Sequence, residues 1–138
     1  MARQSLSDLL IDKTNQMEAS ELRIGNYVTS NTKLLENEVL TVTDINETHV
    51  QAWTKGPLGA SDEYLEPIPL TEEWLIKFGF ECDGRGEIRL PDFIIESFHD
   101  GYHYTAGEGC MFGVPILYVH QLQNLYFALT GNELILKP

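Results

Sequence analysis

Two histidines and an aspartate form the most reactive-looking cluster of the chain: His99, Asp100 and His103. On a helix, this His-x3-His spacing would place both imidazoles on one face, as in a zinc-binding pair. Gly101 lies between them, and the flanking residues alternate as they do in a β-hairpin, so we expect a tight turn in which the rings diverge. The sequence therefore predicts surface histidines in a turn. A zinc site completed by Cys110 or His120 is the alternative.

The two cysteines, Cys82 and Cys110, are too few for a disulfide scaffold, and neither has a CxxC partner. A cysteine nucleophile needs a histidine beside it in space, which no local motif supplies here. We expect both thiols to be buried and inert. The glycine-rich segment 107–113 contains an acid, Glu108, and lacks the Lys-Ser/Thr of a phosphate-binding loop. The sequence thus predicts a non-enzymatic protein without catalytic residues, bound metal or cofactor.

The charge of the chain is strongly negative. Its 138 residues include 21 Asp and Glu against 9 Lys and Arg, which gives a net charge of −12. This balance argues against direct nucleic-acid binding, because phosphate contacts require a basic surface. It is compatible with electrostatic attraction of a basic protein partner, or with solubility alone. The adjacent acids Asp62 and Glu63 are candidate partner-binding residues.

One long stretch, from Gly109 to Asn132, contains no Asp, Glu, Lys or Arg. Within it, residues 118–130 have helical spacing, and Gly131 is a suitable helix terminator. A helix with so few charges must be packed, against the rest of the fold or against a partner. We expect a core helix that buries the leucine stripe Leu122, Leu125 and Leu129.

The first 20 residues differ from the rest and predict an N-terminal helical extension. Their apolar stripe is narrow, and it supplies further candidate partner-binding residues: Leu6, Leu9, Leu10 and Met17. Such a stripe is typical of a helix that docks in the groove of a partner. The alternative is a marginal helix that packs on the domain or frays in solvent.

Residues 21–66 predict short strands separated by turns, with residues 55–61 as a loop. Pro67 and Pro69 end this region, after which Thr71 caps a short helix that Gly79 terminates. Further strands are expected between residues 80 and 104, and residues 134–136 are expected to form an edge strand. The predicted fold class is α+β, with a bent, SH3-like antiparallel sheet of six to eight strands, two internal helices and an N-terminal helix. Residues 21–138 are predicted to form a single domain.

Three sequence blocks occur in a characteristic order: 21–26, 67–80 and 119–131. Together they resemble a family of small proteins from phages, prophages and mobile elements of Bacteroidetes-type bacteria. The resemblance covers about residues 21–136, and its last two blocks are specific. It implies a phage or mobile-element ancestry but no particular activity. Members of the family usually begin close to the first block, so residues 1–20 depart from its pattern.

These observations favour a phage-type accessory protein that binds a basic host or phage protein. The preferred form is an acidic inhibitor or modulator of a host nucleic-acid-handling or defence complex, acting in the host cytoplasm. A virion component that docks through the N-terminal helix is the second hypothesis. A small metal-dependent enzyme using His99 and His103 is the third. No signal peptide or membrane span is expected.

Deleting residues 1–20 tests the proposed extension. We expect residues 21–138 to stay folded with a melting temperature only a few degrees lower, because a narrow apolar stripe adds few buried contacts. If the segment docks on a partner, Leu9→Asp with Leu10→Asp should abolish binding as the deletion does. Thermal unfolding and size-exclusion chromatography of both proteins measure this. A truncated protein that fails to fold would place the segment in the core.

Overall fold

The computed structural model describes residues 19–35, 37–46, 49–56, 58–61, 64–91, 93–105 and 114–137. The chain divides into two compact units, unit 1 from Met1 to Ile68 and unit 2 from Pro69 to Pro138. The described residues of unit 1 form strands and 3-10 turns, and those of unit 2 form strands and two α-helices. The expected α+β class, with antiparallel strands and two internal helices, is confirmed.

Unit 1 contains a five-stranded antiparallel sheet in the order β4-β3-β2-β1-β5. Its strands are β1 (Tyr27–Ser30), β2 (Leu40–Ile45), β3 (Val50–Trp53), β4 (Gly59–Ser61) and β5 (Leu65–Glu66), with 3-10 turns at Ala19–Glu21 and Lys33–Leu35. Alternate residues point inward, as in β3, where Val50 and Ala52 are buried. The inward side chains form one apolar cluster: Leu22, Val28, Leu35, Leu40, Val42, Val50, Ala52 and Leu65.

A turn at residues 23–26 fastens the start of β1 to β2. The buried Asn26 side chain accepts a hydrogen bond from the Arg23 amide at 2.7 Å. Gly25 has φ +99°, a conformation that residues with a Cβ rarely adopt. Its amide donates to the carbonyl of Val42 at 2.8 Å, and the Val42 amide donates to Asn26 at 2.9 Å. Gly25 and Asn26 therefore connect this turn to strand β2 through backbone hydrogen bonds.

Unit 2 opens with helix α1 (Glu72–Lys77), whose two ends follow the capping pattern of the sequence. The Thr71 hydroxyl accepts from the Trp74 amide at 3.4 Å. At the other end, Gly79 is left-handed with φ +95°. The Gly79 amide bonds to Ile76 and the Phe80 amide to Leu75, which is the Schellman arrangement. The predicted limits of this helix are confirmed.

The rest of unit 2 is a four-stranded antiparallel sheet in the order β6-β7-β8-β9, followed by helix α2. The elements are β6 (Glu81–Cys82), β7 (Glu87–Leu90), β8 (Phe93–Phe98), β9 (Gly101–Thr105) and α2 (Val119–Thr130). Gln121 accepts hydrogen bonds from the Leu117 and Tyr118 amides at 2.8 and 3.1 Å, which caps the start of α2. Gly131, with φ +76°, ends the helix as expected.

Phe93 is the centre of the aromatic packing in unit 2. Its side chain is 1% exposed. Its ring lies 6.1 Å from that of Phe80, 5.0 Å from Tyr104 and 5.2 Å from Tyr126. The Phe80 and Tyr126 contacts have the edge-to-face geometry that aromatic pairs prefer. Phe93 thereby connects the start of β6, strand β9 and helix α2.

The inward face of α2 differs from the expected one. Leu122 is fully buried, but Leu125 is half-buried and Leu129 is 51% exposed, so the predicted stripe is wrong at its C-terminal end. The buried residues of α2 are Val119, His120, Leu122 and Gln123. This face is rotated by roughly one residue, about 100°, from the leucine stripe. Leucine spacing misled because two polar side chains occupy the buried side.

The strands also differ from the sequence expectation in number and grouping. The described residues form nine strands in two sheets, where one sheet of six to eight strands was expected. Pro67 and Pro69 lack the amide hydrogens that a continuing ladder requires. Residues 59–61 are a strand and not a loop. Residues 134–136 do not form a strand. Leu134 is nevertheless buried, and its carbonyl oxygen accepts a hydrogen bond from the side-chain amide of Gln123 at 3.3 Å.

Two matters stay predictions. The N-terminal helix falls on residues outside the described part, apart from the 3-10 turn at Ala19–Glu21. The single domain over residues 21–138 is likewise untested, because two compact units do not by themselves show whether each folds alone.

Helix α2 offers a matched pair of substitutions that tests its orientation. Leu122→Ala should lower the free energy of unfolding by about 2–5 kcal/mol, because it leaves a cavity in a closed core. Leu129→Ala should lower it by only about 0.5 kcal/mol, because this side chain is already half in water. Urea unfolding of both variants measures the difference. Equal losses would contradict the orientation of the helix.

Candidate interaction surfaces

The His99–His103 segment is a two-residue β-hairpin loop. Phe98 pairs with Gly101 across β8 and β9, which leaves His99 and Asp100 as the loop. His99 is exposed, whereas His103 is 4% exposed and lies on β9. The expectation of two surface histidines is therefore wrong for His103.

His103 is held by its neighbours in unit 2. Its Nε2–H donates to Oδ1 of Asp100 at 2.9 Å. Its ring meets that of Phe98 edge-on, with centroids 5.3 Å apart. His120 lies on α2, where its ring stacks on Tyr118 at 5.9 Å, and Cys110 lies outside the described residues. Within the described part of the chain, no three His, Cys, Asp or Glu side chains are grouped to hold a metal ion.

The contact with His103 affects the titration of Asp100. The hydrogen bond from His103 lowers the pKa of the Asp100 carboxyl below its ordinary value of 3.8. The Asp100 side chain is 46% exposed, so water screens the interaction. The pair fits a role in fixing the hairpin loop.

Cys82 lies in an acidic environment. Partial desolvation raises the pKa of its thiol, and the nearby carboxylates of Glu72 and Asp83 raise it further. Cys82 is exposed, so the expectation of a buried thiol is wrong for this residue. A raised pKa leaves little thiolate at neutral pH, which is the opposite of an activated nucleophile.

The Glu72 carboxylate also affects the Tyr102 hydroxyl. Burial raises the pKa of the Tyr102 hydroxyl, and Glu72 contributes to the rise. We call Glu72, Glu81 and Asp83 the acidic patch of unit 2: all three are exposed, Glu72 and Asp83 act on Cys82, and Glu81 precedes Cys82 in β6. The nearby bases Lys77 and Arg89 form ion pairs with Glu73 and Glu87. The patch therefore presents a local negative potential to solvent.

The outer face of the unit 1 sheet contains an exposed tryptophan. Trp53 is 42% exposed and pairs across the sheet with Thr41 on one side and Gly59 on the other. Its indole covers Gly59 so closely that a Cβ there would come within 2.7 Å of the ring. A shallow cavity of about 190 Å³ lies beside it, lined by Gln51, Trp53, Gly59, Ala60 and Ser61.

A third surface is the outer side of α2. Leu125, Ala128 and Leu129 are spaced as neighbours on one helix face, which lies beside the buried Leu122 and opposite the buried Gln123. Ala128 and Leu129 are exposed, and Leu125 is half-buried. We call Leu125, Ala128 and Leu129 the uncharged helix face.

Sequence reasoning did not place the buried polar residues of α2. His120 and Gln123 are each 1% exposed. Gln123 bonds to the Leu134 carbonyl and so fixes the C-terminal segment on the helix. The sequence does contain one signal for the burial of Gln123, because Val119, Leu122, Gln123 and Tyr126 share a helical face. The leucine spacing instead indicates the adjoining side of the helix.

The proposed partner-binding residues Leu6, Leu9, Leu10, Met17, Asp62 and Glu63 lie outside the described residues. Their role stays a prediction.

Comparison with protein-family models, with curated proteins and with solved structures gives no match. Neither α-helix of the described residues is long and apolar enough to cross a membrane.

The Asp100–His103 pair gives a pH prediction. Because the folded pKa of Asp100 lies below 3.8, the pair stabilises the fold above that pH, and the contribution is lost as the pH falls through the folded value. The carboxyl carbon of Asp100, followed by NMR, should titrate below 3.8. In His103→Leu, which removes the donor, its midpoint should return toward 3.8. An unchanged midpoint in this variant would contradict the assignment.

Proposed function

We propose that this protein is a non-enzymatic accessory protein of phage type that binds a basic protein partner. In the preferred form it inhibits or modulates a host nucleic-acid-handling or defence complex. Its acidic surface would occupy a basic groove that normally receives DNA or RNA. The net charge of −12 on 138 residues is the observation that carries the proposal.

The placement of the acids supports this proposal. Among the described residues no Asp or Glu is buried, so these carboxylates can contribute to the outer field. The excess of acids is also shared by both halves of the chain. Each unit therefore carries a negative net charge.

The acidic patch of unit 2 provides a local form of the same argument. Glu72 acts on both Cys82 and Tyr102, raising the pKa of each. Carboxylates arranged in this way favour a cationic side chain over an anionic one. Arg and Lys residues of a groove built for phosphates have the chemistry that this patch would attract.

The proposal includes an SH3-like fold for unit 1. The strand order β4-β3-β2-β1-β5 is that of such barrels, with β1 between β2 and the last strand. SH3-like barrels serve many unrelated functions, so this likeness supports the fold alone. The proposed function rests on the negative charge.

The salt dependence of binding tests the proposed function. A partner captured from host lysate at low salt, once identified and purified, should bind more slowly as ionic strength rises. We expect the association rate to fall about tenfold or more between low and high salt, because steering by charge is screened. Stopped-flow or surface-binding kinetics measure the rate. A rate that is indifferent to salt would contradict electrostatic recognition.

Two charge-matched double reversals locate the surface. Asp62→Lys with Glu63→Lys alters unit 1, and Glu72→Lys with Glu81→Lys alters the acidic patch of unit 2. Both change the net charge equally, so each is the control for the other. The reversal inside the binding surface should slow association far more than the one outside it, with both proteins folded. If neither slows association, the acidic-surface proposal fails.

A further inference from the structure

The outer face of the unit 1 sheet carries little charge for so acidic a chain. Within the described strands β1 to β4, Asp44 is the one charged residue, and it follows the bulge of β2. The other outward positions of these strands hold aromatic, hydroxyl and amide side chains beside one glycine: Tyr27, Thr29, Thr41, Gln51, Trp53, Gly59 and Ser61. This face therefore offers a ligand aromatic surface and hydrogen bonds in place of charge.

Trp53 is the largest side chain of this face. One side of its indole packs on Gly59, where a Cβ would come within 2.7 Å of the ring, so the ring is held over β4. Covering a glycine in an edge strand accounts for that side of the indole. It does not account for the remaining surface, since Trp53 is 42% exposed. The exposed part of the indole is a fixed, flat, apolar surface in contact with water.

Hydrogen-bonding groups lie beside this indole. Gln51 and Ser61 pair across β3 and β4, two residues along the strands from the Trp53–Gly59 pair, or about 7 Å away. All four residues line the shallow cavity of about 190 Å³. On the other side of β3, Asp44 pairs with Gln51. An amide, a hydroxyl and a carboxylate therefore border the aromatic surface.

A second aromatic residue lies in the same cross-strand row as Trp53. Tyr27 pairs with Thr41, and Thr41 pairs with Trp53. Two strand spacings, about 9.5 Å, separate the backbones of the two aromatic residues. The rings of a linear, β-linked hexose chain repeat at about one strand spacing. Alternate rings of such a chain would lie over Tyr27 and Trp53, with the Thr41 hydroxyl between them.

We propose that this face binds a neutral polysaccharide, a chain of uncharged hexose rings that crosses β3, β2 and β1. A hexose ring has a side of C–H groups, whose partly positive hydrogens are attracted to the negative face of an indole. Its hydroxyls both donate and accept hydrogen bonds, as amide and hydroxyl side chains require. The cavity beside Trp53 has room for one such ring on an open surface.

The charges of the face select a neutral ligand. Strands β1 to β4, as described, contribute no Lys or Arg that would attract a phosphate, a sulfate or an acidic sugar. A single carboxylate, Asp44, gives a cationic partner little to bind. The surface is separate from the acidic patch of unit 2, so the inference goes beyond the proposed function and does not rest on it.

NMR titration with neutral sugar hexamers tests the inference. The probes are β-1,4-linked hexamers of glucose, of mannose and of N-acetylglucosamine. At least one should shift the backbone amides of β3 and β4 while those of unit 2 stay unchanged. The open site predicts a dissociation constant of about 0.1–1 mM. The corresponding dimer, which reaches one aromatic ring only, should bind more weakly, and a hexamer of galacturonic acid should not bind.

Substitutions separate the aromatic contact from the packing on Gly59. Trp53→Leu keeps an apolar side chain over Gly59 but removes the ring, so the hexamer should bind about tenfold more weakly, whereas Trp53→Phe should restore most of the affinity. Tyr27→Leu should weaken the hexamer but not the dimer. Trp74→Phe, which alters the other tryptophan of the chain, is the matched control and should bind as the unaltered protein does. Gln51→Met removes an amide at similar size and carries the test if Trp53→Leu does not fold.

Three results would overturn the proposal. The first is the absence of amide shifts in β3 and β4 with all three neutral hexamers at about 10 mM, well above the expected dissociation constant. The second is unchanged affinity in both Trp53→Leu and Gln51→Met. The third is a basic protein partner that shifts these amides when no sugar does, which would assign the face to that partner. The acid reversals that test the proposed function leave this face unaltered, so the two proposals can fail independently.

Discussion

The burial of one side of helix α2 is the constraint on which unit 2 depends. This side meets the aromatic packing around Phe93 through Tyr126, and it holds the C-terminal segment through the Gln123–Leu134 hydrogen bond. An ionised group there would lose its hydration without a compensating partner, at a cost far above that of a buried amide. In a chain with 21 acids, the helix can pack only because charges are excluded from it.

That constraint explains why the buried residues of α2 carry no charge, but it does not apply to the exposed ones. The inner residues lack charge because they are buried. Ala128 and Leu129 lack charge although both are exposed, and the adjoining Leu125 is half-buried. The acids lie elsewhere, including Glu72 and Asp83 around Cys82. The exposed acids and the uncharged helix face therefore lie on different elements of unit 2.

The reactive side chains of unit 2 differ in how far the local sequence predicts their surroundings. The hairpin loop at His99 and Asp100 was visible in the sequence because a glycine and alternating flanks are local signals. The burial of His103 was not, since it depends on the neighbouring strand and on Phe98. Cys82 likewise has an ordinary sequence context. Asp83 is its neighbour in the chain, but only folding partly buries the thiol and brings Glu72 near it, and both of these effects raise its pKa.

The sequence by itself determined the features that arise within one turn or one strand. The caps at Thr71 and Gly79, the terminator Gly131 and the hairpin loop follow from backbone conformation and nearby hydrogen bonds. Only the tertiary structure decided that the strands form two sheets, that residues 59–61 pair beneath Trp53, and that α2 buries His120 and Gln123. Helical periodicity gives a helix several plausible apolar sides, and neighbours distant in sequence select the one that is buried.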